Sequence, residues 1–234
     1  MTVVLVHGFP ETAAIWRPFE DVLDGDAVAV SLPGFGAVGP DGFTGTKDAL
    51  AEWLAETLER VEPPVDVVGH DVGALLTMRV ATAVEVPLRS WAVDVSEIFH
   101  PDHVWPERVR TMEQPAAVDQ ENISARLAGA GVPADLAGEI AAAHDETTSR
   151  SIFDFYRSAM PNVAADWWRD AGCTQSRGLV LLLPDPPEIE AMAEAVAERL
   201  GAETARLDDL NHCWMAEAPE RVAPVLERFW SSLE

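Results

Sequence analysis

The chain has 234 residues, 48% of them hydrophobic, so it is long enough to bury a core and too apolar to be mainly disordered. Its formal charge of −24, from 40 acidic against 16 basic residues, repels phosphate backbones and anionic bilayers, so neither nucleic acid nor a membrane is expected as a partner. Cys173 and Cys213 are too few for a disulfide framework and lack zinc-ligand spacing, and no metal or cofactor is expected.

The first element is an apolar run over 2–6, read as a central parallel strand that ends at the loop His7-Gly8-Phe9-Pro10, where ligands bind in such sheets. No charged and apolar leader precedes it, and no apolar run approaches membrane-spanning length, so a cytoplasmic protein is expected. Periodicity then predicts a helix over 11–23, a strand over 27–30 and an amphipathic helix over 47–61 with Leu50, Trp53, Leu54, Leu58 and Val61 on one face. Pro63 and Pro64 stop that helix. Val65 to Val68 reads as a buried strand, Gly69 and Gly73 punctuate a tight turn, and a helix follows over 74–83.

The motif Gly69-His70-Asp71-Val72-Gly73 therefore holds Asp71 on a strand-to-helix elbow. That is the geometry of the G-x-S-x-G nucleophile turn with a carboxylate in the nucleophile's place. A carboxylate is already ionised at neutral pH and can attack an alkyl carbon without first losing a proton. A further strand over 88–95 completes an alternation of strand and helix that predicts an α/β, doubly wound, mainly parallel sheet. Right-handed crossovers then bring His7, Asp71 and Asp94 to one edge of it. From 97 to 170 the alternation stops: helical patches over 116–127, 134–144 and 149–159 read as an inserted helical cap, with 1–96 and 171–234 forming the core. Strands over 178–183 and 203–207 and helices over 189–200 and 219–233 resume the pattern, giving about six strands in all.

Taken together, these residues resemble the α/β-hydrolase superfamily over nearly the whole chain. His7-Gly8-Phe9-Pro10 with the Asp71 elbow is similar to its epoxide hydrolase and dehalogenase branch, which uses an Asp nucleophile and an alkyl-enzyme ester. The resemblance implies an α/β-hydrolase fold without the usual two leading strands, a small hydrophobic substrate, and a monomer or homodimer. The family order of nucleophile, acid and histidine implies His212 as the base that activates water and Asp185 as the acid that orients it, with Asp94 as the rival acid. It further implies an oxyanion hole from the N–H groups of Phe9 and Val72, and a cis peptide before Pro10.

The leaving group divides the substrates. An alkoxide from an epoxide needs a strong donor, and Tyr156, the single tyrosine, offers a phenol from the cap. A second donor would come from His100, His103, His144, Trp105, Trp167 or Trp168. His7, Pro10, Trp105, Trp167 and Trp168 are candidates to line the substrate site, although cap-to-core packing is the plainer reading of the tryptophans and loop stabilisation that of His7. Val72 and Phe9 stand where haloalkane dehalogenases resemble one another in carrying Trp and Asn, but Val72 also departs from the Trp common in the epoxide hydrolases of the family, so the resemblance implies epoxide hydrolysis to a diol through His7-Gly8-Phe9-Pro10 and Tyr156. Haloalkane or haloacid dehalogenation stays open, as do a cofactor-free lyase and a non-catalytic binding protein. Cap arginines, Arg108, Arg110, Arg126, Arg150 and Arg157, could hold an anionic group locally despite the acidic surface.

Overall fold

A computed structural model describes residues 2–83, 86–172 and 174–233, so Cys173 lies outside the described residues. Six strands, β1 (Thr2–Val6), β2 (Asp26–Val30), β3 (Val65–Gly69), β4 (Leu88–Val93), β5 (Arg177–Leu182) and β6 (Glu203–Arg206), form one sheet in the order β2-β1-β3-β4-β5-β6. Every pairing is parallel. The order reverses after β2, which places β1 and β3 side by side in the middle of the sheet with the elbow and the His-Gly loop at their carboxyl ends.

Side chains alternate across the sheet with period two, and both faces are covered. Val4, Val6, Val65, Val67, Trp91, Val93 and Val180 pack on one face against the helices α1 (Lys47–Leu58), α2 (Val72–Ala83) and, past the insertion, Pro187–Leu200. Val3, Leu5, Val68, Ala92, Leu179 and Leu181 meet the 13–23 segment and the last helix, Pro219–Ser231, on the other. Between Val93 and Arg177 the described residues form no strand. The helices there are the short Glu107–Arg110 and Trp167–Asp170 and the longer α3 (Gln120–Gly129), α4 (Ala134–Ala142) and α5 (Glu146–Ser158). This insertion has no core of its own: Trp105, Phe155, Val163 and Trp167 join one sheet-face cluster, and Leu127, Val132, Leu136 and Ile140 the other. The two helices that close the chain are α6 (Pro187–Leu200) and α7 (Pro219–Ser231).

One expected helix breaks up. Instead of a continuous helix over 11–23, Thr12 caps a 3₁₀ turn over Ala13–Trp16 and a single α-turn follows over Arg17–Glu20. Pro18 explains the break, because a proline is accommodated only in the first turn and forces the α-helix to begin just before it. Glu11 is thereby left outside the helix and buried.

Candidate active site

Asp71 follows β3 with φ at 49°, the left-handed region that costs a non-glycine residue about 1–3 kcal/mol. The flanking glycines are required by contact. A Cβ on Gly69 would stand 2.6 Å from the Gly73 carbonyl oxygen, and one on Gly73 2.3 Å from the Val6 carbonyl oxygen. Asp71 immediately precedes α2, whose N-terminal dipole favours a negative charge there. From the facing loop, the Phe9 N–H donates to Asp71 Oδ2 at 3.0 Å. One carboxylate oxygen is thus held by a backbone donor, and the peptide before Pro10 is cis, as the sequence implied.

His7 is buried with both ring nitrogens engaged: Nδ1–H donates to the Gly8 carbonyl at 2.8 Å and Nε2 accepts from the Leu32 N–H at 3.1 Å. Burial pushes its pKa down to about 4. It ties two loops together and presents no polar atom to a substrate, which corrects its place among the substrate-lining candidates.

Asp94 is buried at the end of β4, and its oxygens are taken. Oδ2 accepts from His70 Nδ1 and from Trp214 Nε1, each at 2.6 Å, and Oδ1 accepts from the Asp71 N–H at 3.0 Å. Burial alone would raise its pKa, but the charge and hydrogen bond of His70 outweigh it and the net direction is down. For His70, burial lowers and Asp94 raises, and the sum lies well above the usual imidazole value. The two form a buried ion pair. His70 Nε2 has no well-formed hydrogen bond, and the buried Cys213 thiol is the polar group beside it.

His212 lies with its ring centroid 4.5 Å from that of His70 and keeps a solvent-exposed edge. Desolvation of its crowded side and the charge of His70 hold its pKa below 6.5, against the pull of Asp71, Asp94 and Asp185. Asp185 is exposed. Burial of part of its carboxyl raises its pKa, while His212 lowers it.

Glu11 is buried with Oε2 unpartnered, and burial, with a further push from Asp71, lifts its pKa to about 7. Ligand-capable atoms of Glu11, His70 and His212 lie within 4.8 Å of one another. With His70 paired to Asp94 and protonated at neutral pH, this trio suits a water molecule better than a cation, because a metal needs a neutral imidazole. Glu97, buried near Asp185, Asp94 and Asp71, is raised to about 8 by burial and by those charges. Sequence reading missed Glu11 and Glu97, since a lone Glu reads as a solvated residue. His70 was visible inside the elbow motif, but its partner Asp94 lies 24 positions away.

Two cavities adjoin the site. One of about 220 Å³ is bounded by Phe9, Pro10, Arg108, Arg126, His144 and Tyr156, among others. A smaller one of about 90 Å³ is lined by Phe9, Pro10, Glu11, Arg126, His212 and Cys213 among others. Asp71 belongs to neither lining but is held by the N–H of Phe9, a wall of both. The Phe9 and Tyr156 rings meet edge-on at 6.3 Å. Burial raises the Tyr156 pKa above its ordinary 10, and Asp71 raises it further, so the phenol keeps its proton.

Of the other candidates for a second donor, His144 alone shares the larger cavity with Tyr156. Trp105, Trp167 and Trp168 are not among the residues lining either cavity, in keeping with the cap-to-core packing expected of them. Trp105 Nε1 donates to the Ala159 carbonyl, Trp167 Nε1 to Asp48, and Trp168 lies tilted against Phe99 and His100 with the Arg199 guanidinium over its ring. Pro10 does line the cavities.

The model of the alpha/beta hydrolase family matches residues 3–225. No curated protein matches the sequence. Among solved structures, the fold is similar to the epoxide hydrolase CorEH, with 16% identity over 100% of this chain and 92% of that one at a TM-score of 0.76. It is also similar to a loop variant of the haloalkane dehalogenase DbeA from Bradyrhizobium elkanii, with 17% identity over 99% and 89% and a TM-score of 0.72. A third similar structure is NosK from Streptomyces actuosus, with 22% identity over 99% and 98% and a TM-score of 0.67. No helix among the described residues is long and apolar enough to cross a membrane.

Proposed function

The chain belongs to the alpha/beta hydrolase family, and on that premise we propose that it hydrolyses epoxides to diols with Asp71 as nucleophile. The observation that carries this reading is the single hydrogen bond from the Phe9 N–H to Asp71 Oδ2 on a strained elbow. With Oδ2 held, Oδ1 is the oxygen that attacks. It bonds to an epoxide carbon while the carbon–oxygen bond of the ring breaks, and the leaving alkoxide takes a proton from Tyr156. His144, on the wall of the same cavity, is the second donor, and solvent restores the phenol's proton.

In the ester, Oδ2 has become the carbonyl oxygen and still faces the Phe9 N–H. His212 removes a proton from water, which attacks Asp71 Cγ, and the charge that develops on Oδ2 is stabilised by Phe9 and by the N–H of Val72. Collapse expels the diol oxygen, which is protonated by the His212 imidazolium. Glu11 and His70, near His212, hold the water. Asp185 is the acid partner of His212, because the oxygens of Asp94 are spent on His70, Trp214 and the Asp71 backbone. The epoxide hydrolase and dehalogenase neighbours support this class of chemistry.

The test is the intact mass of the His212→Ala variant after incubation with panels of epoxides and alkyl halides. Loss of the base should trap an adduct on Asp71 equal to the whole mass of an epoxide. An adduct equal to a halide substrate less hydrogen halide would make the protein a dehalogenase. A folded variant with no adduct on Asp71 from either panel would sink the nucleophile assignment.

A further inference from the structure

The larger cavity carries more charge information than the reaction uses. Its walls are mostly apolar, with Phe9, Pro10, Val109 and Ile123 among them, yet two guanidinium groups reach it from different elements. Arg108 comes from the short helix Glu107–Arg110 and Arg126 from α3. Neither guanidinium has an ion-pair or hydrogen-bond partner among the described residues.

In a chain with 40 acidic and 16 basic residues some arginines find carboxylates, as Arg17 does with Glu139, Arg89 with Asp66, Arg177 with Glu203 and Arg206 with Glu190, while Arg108 and Arg126 stand at the cavity instead. The acidic side chain on the same wall, Asp119, is committed as the N-cap of α3, where its Oδ1 accepts the Asn122 N–H at 3.0 Å. Arg126 also lines the smaller cavity beside His212, so it borders both spaces. Arg108, Arg126 and Tyr156 line the larger cavity together, and both guanidinium charges act on the Tyr156 phenol.

We propose that Arg108 and Arg126 form an anion-binding rim and that the substrate is a short, largely apolar molecule ending in a carboxylate. The carboxylate is held by the two guanidinium groups while the chain lies along the apolar wall toward Asp71. Arginine suits this role because its planar fork matches a carboxylate with two parallel hydrogen bonds. At about 220 Å³ the space lies below the roughly 300–1,000 Å³ of sites for drug-sized ligands, which limits the chain length. That the reacting group is an epoxide rests on the function proposed above; the rim itself does not.

Two inert probes, hexanoate and hexanamide, separate the two ideas, because they match in length and differ in charge. Binding to the wild-type protein is followed by titration calorimetry. Hexanoate is expected to bind about tenfold or more tightly than hexanamide, the size of effect a charged hydrogen bond gives. The Arg108→Gln/Arg126→Gln double variant, shown folded by circular dichroism, should lose that preference, whereas Arg228→Gln, which removes one positive charge from the last helix, should keep it. Equal binding of the two probes, or an equal effect of the double variant on both, overturns the rim.

Turnover is then compared on the terminal-epoxide derivatives of hexanoate and hexanamide. A lower KM for the carboxylate that is abolished in the double variant extends the rim to catalysis. Equal KM values overturn its role in substrate choice. Selective hexanoate binding with no adduct on Asp71 from either epoxide would leave the rim standing and remove the epoxide reading.

Discussion

A methyl group on Gly8 would stand 2.5 Å from Asp71 Cβ and 2.6 Å from Oδ2, closer than any real Cβ contact, so the His-Gly loop can approach Asp71 only without a side chain there. Gly8→Ala is expected to lower kcat/KM by about a hundredfold or more while leaving the fold intact, since a displacement of about 1 Å at a reacting group costs that much. Initial rates on the best epoxide of the panel, with far-ultraviolet circular dichroism alongside, would show it; near wild-type activity would mean the loop does not position Asp71. The pH profile belongs to single residues too. His212 must be neutral to accept a proton, and its pKa is held below 6.5 by desolvation and by His70. The acid limb of kcat/KM should therefore have its midpoint below 6.5, with the rate rising through it toward neutrality. Glu11, at about 7, is the competing titration, and the limb should stay in place in Glu11→Gln if His212 is its source. At this scale His212 and the cis peptide at Pro10 were implied only by the family resemblance, while the Asp71 elbow was legible from its own neighbours Gly69 and Gly73. The pairing of His70 with Asp94 was not, since nothing local to either residue names the other.

The short helix Trp167–Asp170 shows how the insertion is fastened at the level of elements. Trp167 is 1% exposed, its Nε1 donates to Asp48 Oδ1 at 2.9 Å, and the Lys47 ammonium lies 4.5 Å above its ring, with Lys47 also paired to Asp166 at 2.8 Å. All of these partners lie at the start of α1 or beside Trp167 itself, so the indole joins the insertion to the sheet layer. Trp167→Ala is expected to cost about 3–5 kcal/mol of unfolding free energy, in the range for emptying a buried aromatic site. A urea-denaturation loss below about 1 kcal/mol would show that the insertion is held elsewhere. Strand positions were read to within about two residues because short apolar, β-branched runs are bounded by glycine, proline and polar turn residues. The helix expected over 11–23 failed because one proline outranks an apolar periodicity, and α3 begins later than expected because Asp119 caps it.

Over the whole molecule, the formal charge of −24 sets carboxylates against one another across a small surface. That repulsion is relieved on unfolding and screened by salt, whose Debye length falls from ~30 Å at 0.01 M to ~3 Å at 1 M. The melting temperature should therefore rise between these sodium chloride concentrations, as scanning calorimetry would read; a fall would mean that the surface ion pairs outweigh the repulsion. By itself the sequence determined the alternation that makes a parallel sheet and the position of Asp71 on a glycine-flanked elbow, because these depend on local periodicity and turn chemistry, whereas the expectation of a later histidine came from the family resemblance. Only the tertiary structure decided which acid is spent and which is exposed, that the tryptophans pack while Arg108 and Arg126 reach a cavity, and that Glu11 meets His70 and His212. Burial and charge pairing arise between residues far apart in the chain, and no window of sequence contains both partners.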